Sequence, residues 1–185
     1  MLSQNKLYML LVGCRPKGRL TEQHDIYFGI APSLKSVVPQ LKTFWPEAQG
    51  NLHIDAWREV LFVDGYKITV CEGVATEPQE LDLFFINLGG YQQGSFDELH
   101  YKLLIVATNA SEAVKKAKAA EFYKTAGFPG AVSHIDDKYE VDDLINVKEL
   151  LPFEKFYLNI EKSDDAENTE DEIHLGYLNL SKLKE

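Results

Sequence analysis

The chain has 185 residues, 45% hydrophobic and 26% charged, with a formal net charge of −10. That balance is the one of a folded globular protein and excludes a disordered, collagen-like or disulfide-scaffold chain. No stretch approaches the ~18 consecutive apolar residues that a membrane span needs.

The charge is unevenly placed. Residues 161–172 carry seven acids against Lys162 alone, a net of −6, so the rest of the chain holds only −4. A body this near neutrality offers a phosphate backbone no broad positive surface, which argues against nucleic-acid binding. A small anion needs only two or three local cations and stays open. Cys14 and Cys71 are the only cysteines and read as two reduced, packed thiols.

Leu7 to Val12 is a short apolar run ended by Gly13, the pattern of a buried strand. With Cys14 it imitates a lipoprotein cleavage site. The run is shorter than the ~7–15 residues of a signal core, and a similar segment recurs in mid-chain, so a cytoplasmic protein is expected. A loop of about ten residues leads to His24–Ala31, a second strand expected to run antiparallel to the first. Ser33 stands at a cap position before Leu34, Val37, Val38, Leu41 and Phe44 at helical spacing. Pro39 interrupts this stripe and predicts a helix that kinks or starts late. From His53 the chain alternates through Trp57, Glu59, Leu61 and Val63 to Asp64-Gly65, a strong hairpin signal, and on through Tyr66, Ile68 and Val70.

Residues 72–81, with Thr76-Glu77-Pro78, read as a linker. The same order of elements then returns. Leu83–Leu88 and His100–Thr108 read as strands, and Asn109 with Glu112 forms a capping box ahead of Ala113, Val114, Ala117 and Ala120. Phe156–Ile160 and Ile173–Leu180 are expected to close the second copy as its last hairpin, Gly176-Tyr177 echoing Gly65-Tyr66. The acidic 161–172 segment is then an exposed loop within it.

Direct self-comparison supports this reading. At an offset of 76, Gly13, Gly18, Glu22, His24 and Ala31 match Gly89, Gly94, Glu98, His100 and Ala107. At an offset of 81, His53-Ile54-Asp55 matches His134-Ile135-Asp136, and Glu59-Val60 matches Glu140-Val141. Of five histidines, four fall into two matched pairs. The expected fold is α+β: two tandem β-β-α-β-β repeats with approximate two-fold symmetry, their largely antiparallel sheet covered by helices. Residues 1–71 form the first repeat and 82–185 the second.

Three motifs carry a resemblance: Arg15-Pro16-Lys17-Gly18-Arg19, Thr21-Glu22-Gln23-His24-Asp25, and His53-Ile54-Asp55-Ala56-Trp57-Arg58-Glu59-Val60. They, and His134-Ile135-Asp136-Asp137-Lys138-Tyr139 in the second copy, are similar to a bacterial family catalogued as domain of unknown function 1543. The resemblance spans roughly residues 7–150. It implies one or two copies of this unit and brings no activity, cofactor or catalytic residue with it.

Chemistry must therefore come from the residues. Glu22 with His24, and His53 with Asp55, lie two apart, a spacing that puts both members on one face of a strand. Together they supply two imidazoles and two carboxylates, enough to ligate a divalent metal or to serve as general acid and base. Glu98, His100, His134 and Asp136 would do the same in the second copy. The competing reading is a hydrogen-bond network in which a carboxylate merely orients each ring, favoured by Ile26, Phe28 and Ile30 on the strand face of His24. Arg15, Lys17 and Arg19 cluster in a glycine-bounded loop, where guanidinium forks and backbone N–H groups suit a carboxylate or phosphate. The same loop is not a nucleotide-hydrolysing phosphate loop, since Arg19-Leu20 stands where Lys-Ser or Lys-Thr is needed. Cys14 near His24 is weak evidence for a thiol nucleophile, and no serine nucleophile elbow is present.

Two classes of function follow. One is a non-catalytic module binding a small anionic molecule or a protein partner, through Arg15, Arg19 and the first-copy His/acid pairs or through the acidic loop. The other is an enzyme that uses those pairs as acid-base groups or metal ligands. The sequence names no cofactor.

Overall fold

The computed structural model describes residues 4–91, 94, 96–119, 139–152, 154–163 and 171–183. The chain divides into two compact units, Met1–Val74 with Leu151–Glu185, and Ala75–Leu150.

The first unit opens with β1 (Lys6–Cys14) and β2 (Gln23–Ala31), antiparallel from Lys6↔Ala31 to Cys14↔Gln23. Helix α1 (Leu34–Phe44) follows. The Ser33 hydroxyl accepts from the Ser36 N–H at 3.4 Å and caps it. The helix starts at once and runs through Pro39, contrary to a late start. Pro39 is exposed and lacks the N–H that would bond back to residue 35, and the helix continues past it to Phe44. A 3-10 turn at Pro46–Ala48 then delivers β3 (His53–Glu59), which pairs antiparallel with the other edge of β1.

β1 alternates. Tyr8, Leu10, Val12 and Cys14 are at most 2% exposed and pack with Val37 and Leu41 of α1 and with Ile54 of β3. The opposite face of β1 presents Gly13. At Val60 the chain leaves this sheet for a second one. β4 (Phe62–Val63) and β5 (Tyr66–Glu72) are joined by Asp64 (φ 54°) and Gly65 (φ 78°), two left-handed residues that make the expected tight turn.

The C-terminal strands pair differently from the hairpin expected of them. β9 (Phe156–Lys162) pairs with β5, and β10 (His174–Asn179) pairs with β3. Both belong to the first unit, giving the sheets β10-β3-β1-β2 and β4-β5-β9. Asp171, expected in an exposed loop, is instead anchored. Its carboxylate accepts from the N–H groups of Leu61 and Phe62 at 3.1 and 3.0 Å, where the chain turns from β3 into β4.

The second unit contains β6 (Asp82–Tyr91), β7 (Glu98–Ala107), α2 (Ala110–Ala119) and β8 (Tyr139–Asn146), with strand order β7-β6-β8. Its core joins Phe84, Ile86, Leu88, Ile105 and Ala107 to Ala113 and Ala117 of α2. The order strand, strand, helix, strand and the central place of the first strand are those of the first unit. The capping box is slightly displaced. Asn109 Oδ1 accepts from Glu112 N–H at 3.0 Å, whereas Glu112 Oε2 reaches back to the N–H and hydroxyl of Thr108 at 2.9 and 2.7 Å.

Candidate functional site

Gly13 is the centre of the site because of what lies opposite it. Across β1–β2 it pairs with His24, and across β1–β3 with His53. Residues directly opposite in a ladder share a face. Both imidazoles therefore flank the spot where Gly13 has no side chain. A β-bulge adds a carboxylate: Val12 pairs with Ile54 and Leu11 with Ala56, so Asp55 is the extra residue on β3. A bulge re-aims the side chain at the irregularity. Here the Asp55 carboxylate joins the His53 ring, and Glu22, at the end of the β1–β2 loop, completes the group.

The four side chains converge. His53 Nε2 lies 3.1 Å from Asp55 Oδ2 and 3.2 Å from Glu22 Oε1. His24 Nε2 lies 3.2 Å from the same Asp55 oxygen and 3.9 Å from Glu22 Oε2. The His53 side chain is 8% exposed, Asp55 26%, His24 42% and Glu22 47%, so the cluster is closed at its base and open at its rim. Despite their closeness, the buried atoms His53 Nε2 and Asp55 Oδ2 make no hydrogen bond. An imidazole N–H pointed at the carboxylate would have made one at 3.1 Å.

The missing side chain at Gly13 matters as much as those present. A Cβ there would lie 2.4 Å from His53 Nε2 and 2.7 Å from Asp55 Oδ2. Glycine is required for the two groups to meet beside the backbone.

A residue with no role in the sequence reading covers the site. The ring of Tyr177 on β10 lies 4.6 Å from that of His53, tilted by 30°. His174 on the same strand stacks on Trp57 at 3.9 Å. Only the pairing of β10 with β3 brings these residues here, and nothing local in the sequence signals it.

The other predicted residues separate from the cluster. Arg15 Nε donates to the carbonyl of Arg19 at 3.3 Å, so the basic loop turns partly on itself, and both arginines are exposed. Cys14 points to the opposite face, into the core, where burial first and then the charges of Glu22 and Glu47 push its thiol up. A thiol held protonated is a poor nucleophile.

In the second unit His100 pairs with Gly89, and His100 Nε2 lies 4.0 Å from Glu98 Oε2, repeating the His24–Glu22 spacing. The other neighbour of Gly89 is Glu140, and the bulge residue, between Val141↔Leu88 and Asp143↔Asn87, is Asp142. By strand register Glu140 and Asp142 take the places that His53 and Asp55 have in the first unit, whereas the sequence match is to His134 and Asp136. Those two residues lie outside the described ones.

Fold and site together define an α+β protein of two units, the first carrying a half-open cluster of two histidines and two carboxylates. Residues 19–70 match the family model described as Domain of Unknown Function (DUF1543). The matched segment lies within the first unit and contains Glu22, His24, His53 and Asp55. The chain is similar to the crystal structure of a protein Il1583 from Idiomarina loihiensis, with a TM-score of 0.66 and 25% identity over 96% of this chain and 99% of that one. No curated protein matches the chain. Among the described residues, no helix is long and apolar enough to cross a membrane.

Proposed function

We propose that the first unit binds a divalent transition-metal ion through Glu22, His24, His53 and Asp55. The observation that carries this is the pair of buried atoms His53 Nε2 and Asp55 Oδ2, which lie 3.1 Å apart without bonding each other. Each atom stands within 3.2 Å of two ligand-type atoms yet forms no hydrogen bond, an arrangement in which converging lone pairs serve a third centre. The spacing agrees. Ligands on a tetrahedral ion with bonds of ~2.0–2.1 Å stand about 3.3 Å apart, and three of the four contacts are 3.1–3.2 Å. Donor chemistry narrows the choice: mixed imidazole and carboxylate suit zinc, iron(II) or a neighbouring first-row ion rather than magnesium or calcium.

A purely structural network fits less well. Asp55 Oδ2 is flanked by two Nε2 atoms and His53 Nε2 by two carboxylate oxygens, so single protons cannot serve every short contact. The rim at His24 and Glu22 is open, so an ion can reach the four side chains from solvent. This favours the metal-ligand member of the two functional classes. In the same reading the units are copies of one β-β-α-β element, and Gly89, Glu98 and His100 are what the second retains.

Cobalt(II) titration of tag-free protein, followed by visible d–d absorption, tests the proposal. Saturation at one equivalent per chain, lost on His53→Ala with the circular dichroism unchanged, is expected. Absence of any saturable absorption in the folded wild-type protein overturns it.

A further inference from the structure

A cavity of about 420 Å³ opens beside the cluster, within the first unit. That volume falls in the ~300–1,000 Å³ range of small-molecule sites. His53 forms part of its wall together with Tyr177, so one imidazole borders both the cluster and the cavity. The remaining wall is chemically one-sided. Among the described residues, Lys42, in the last turn of α1, is the only lining Lys, Arg, Asp or Glu. Leu52 and Leu180 supply apolar surface.

The other polar residues of the wall include two amides. Asn179 Oδ1 is occupied by the N–H and hydroxyl of Ser181 at 2.9 and 2.8 Å, which leaves the Asn179 amide nitrogen outside that cap. Asn51 adds a second amide. Lys42 forms no ion pair among the described residues, although the chain as a whole is acidic and carboxylates are abundant. Lys42 is itself exposed, so its ammonium stands at the mouth of the cavity, where with the amides and the apolar wall it suits a ligand with one anionic head and a short apolar body.

We infer that this cavity binds a small organic carboxylate, its head on Lys42 and the amide of Asn179 and its apolar part against Leu52 and Leu180. This site is separate from the Arg15–Arg19 loop. The inference goes beyond the metal proposal and does not depend on it, because none of the groups that hold the carboxylate is a proposed metal ligand.

The test is a nuclear magnetic resonance titration of the full chain with butyrate, in chelator and again with one equivalent of zinc. Butyramide serves as the uncharged control. Saturable shifts at residues 42, 53 and 177 with butyrate in chelator, at least tenfold weaker with butyramide and with Lys42→Met, are expected. Lys35→Met, on the same helix but away from the cavity, should leave the affinity unchanged. No saturable shift with butyrate, or butyrate binding that Lys42→Met leaves intact, overturns the inference. Binding seen only with zinc would place the carboxylate on the metal instead, which overturns the Lys42 site while sparing the metal proposal. Failure of zinc to bind leaves the expected result in chelator unaltered.

Discussion

Gly13 faces His53 across the β1–β3 ladder so closely that one methyl group on Gly13 would come within 2.4 Å of His53 Nε2. The backbone at Gly13 is not left-handed, so alanine suits its conformation and only the space is wrong. Gly13→Ala is therefore expected to push His53 and Asp55 apart and to weaken metal binding by at least the ~10–100-fold typical of a disturbed second shell. The cost to folding should be smaller, about 1–3 kcal/mol for an overpacked site. Calorimetric metal titration beside urea unfolding separates the two effects.

Asp55 owes its position to a bulge and its role to its charge. Asp55→Asn keeps the shape and removes the charge. Metal affinity is expected to fall at least tenfold, while the metal-free protein is not destabilised, because the charge removed is a buried one without a hydrogen bond. Leu41→Ala is the reverse control. Leu41 is fully buried in the α1 core, so the change should cost ~2–5 kcal/mol and leave metal stoichiometry in the folded fraction unchanged. Equal loss of stability in both variants would favour a structural network over a metal site.

Tyr8 lies in the same core, 2% exposed, its hydroxyl donating to Glu59 Oε1 at 3.4 Å. Burial, then the Glu59 charge and hydrogen bond, push its pKa up from 10.0 to about 12. The fold thus favours the neutral phenol. That contribution is complete below pH 10 and is lost as pH rises toward about 12. In alkaline denaturation followed in the near ultraviolet, Tyr8→Phe is expected to flatten the loss of stability across that window.

Glu112 behaves in the opposite sense. The Thr108 hydroxyl and N–H, followed by Lys116, hold its carboxyl at about 2 rather than 4.5. A depressed carboxylate stabilises the fold above its unfolded pKa and ceases to do so as pH falls through the folded value. The start of α2 should therefore loosen between about pH 4.5 and 2. Side-chain titration of Glu112 by carbon-detected resonance, with faster exchange of the Thr108 amide in the same interval, checks this. Glu112→Gln should abolish the pH dependence of that exchange.

The sequence reached some of these features for reasons the fold makes plain. An offset of 76 joins Gly13 and His24 to Gly89 and His100, and both are ladder partners. Strand, loop and strand are contiguous there, so local pattern carries the register. The offset of 81 that joins His53 to His134 crosses the segment between helix and third strand, where its length is free to vary. There, hydrogen-bond register puts Glu140 opposite Gly89. The bulge at Asp55 has no sequence signature, although the two-residue spacing put the carboxylate near its partner. The pairing of β9 with β5 and of β10 with β3 joins residues about a hundred positions apart, and no local propensity encodes it. Tyr177 reaches His53 by that long-range route.

Anomalous diffraction addresses the metal proposal most directly. Crystals of the tag-free chain grown with one equivalent of zinc should show, at the zinc edge, a single peak ~2.0–2.2 Å from His24 Nε2, His53 Nε2 and Asp55 Oδ2, with Glu22 as fourth ligand. A map without such a peak, in which water or a neighbouring protein group satisfies His53 Nε2 and Asp55 Oδ2, would contradict it.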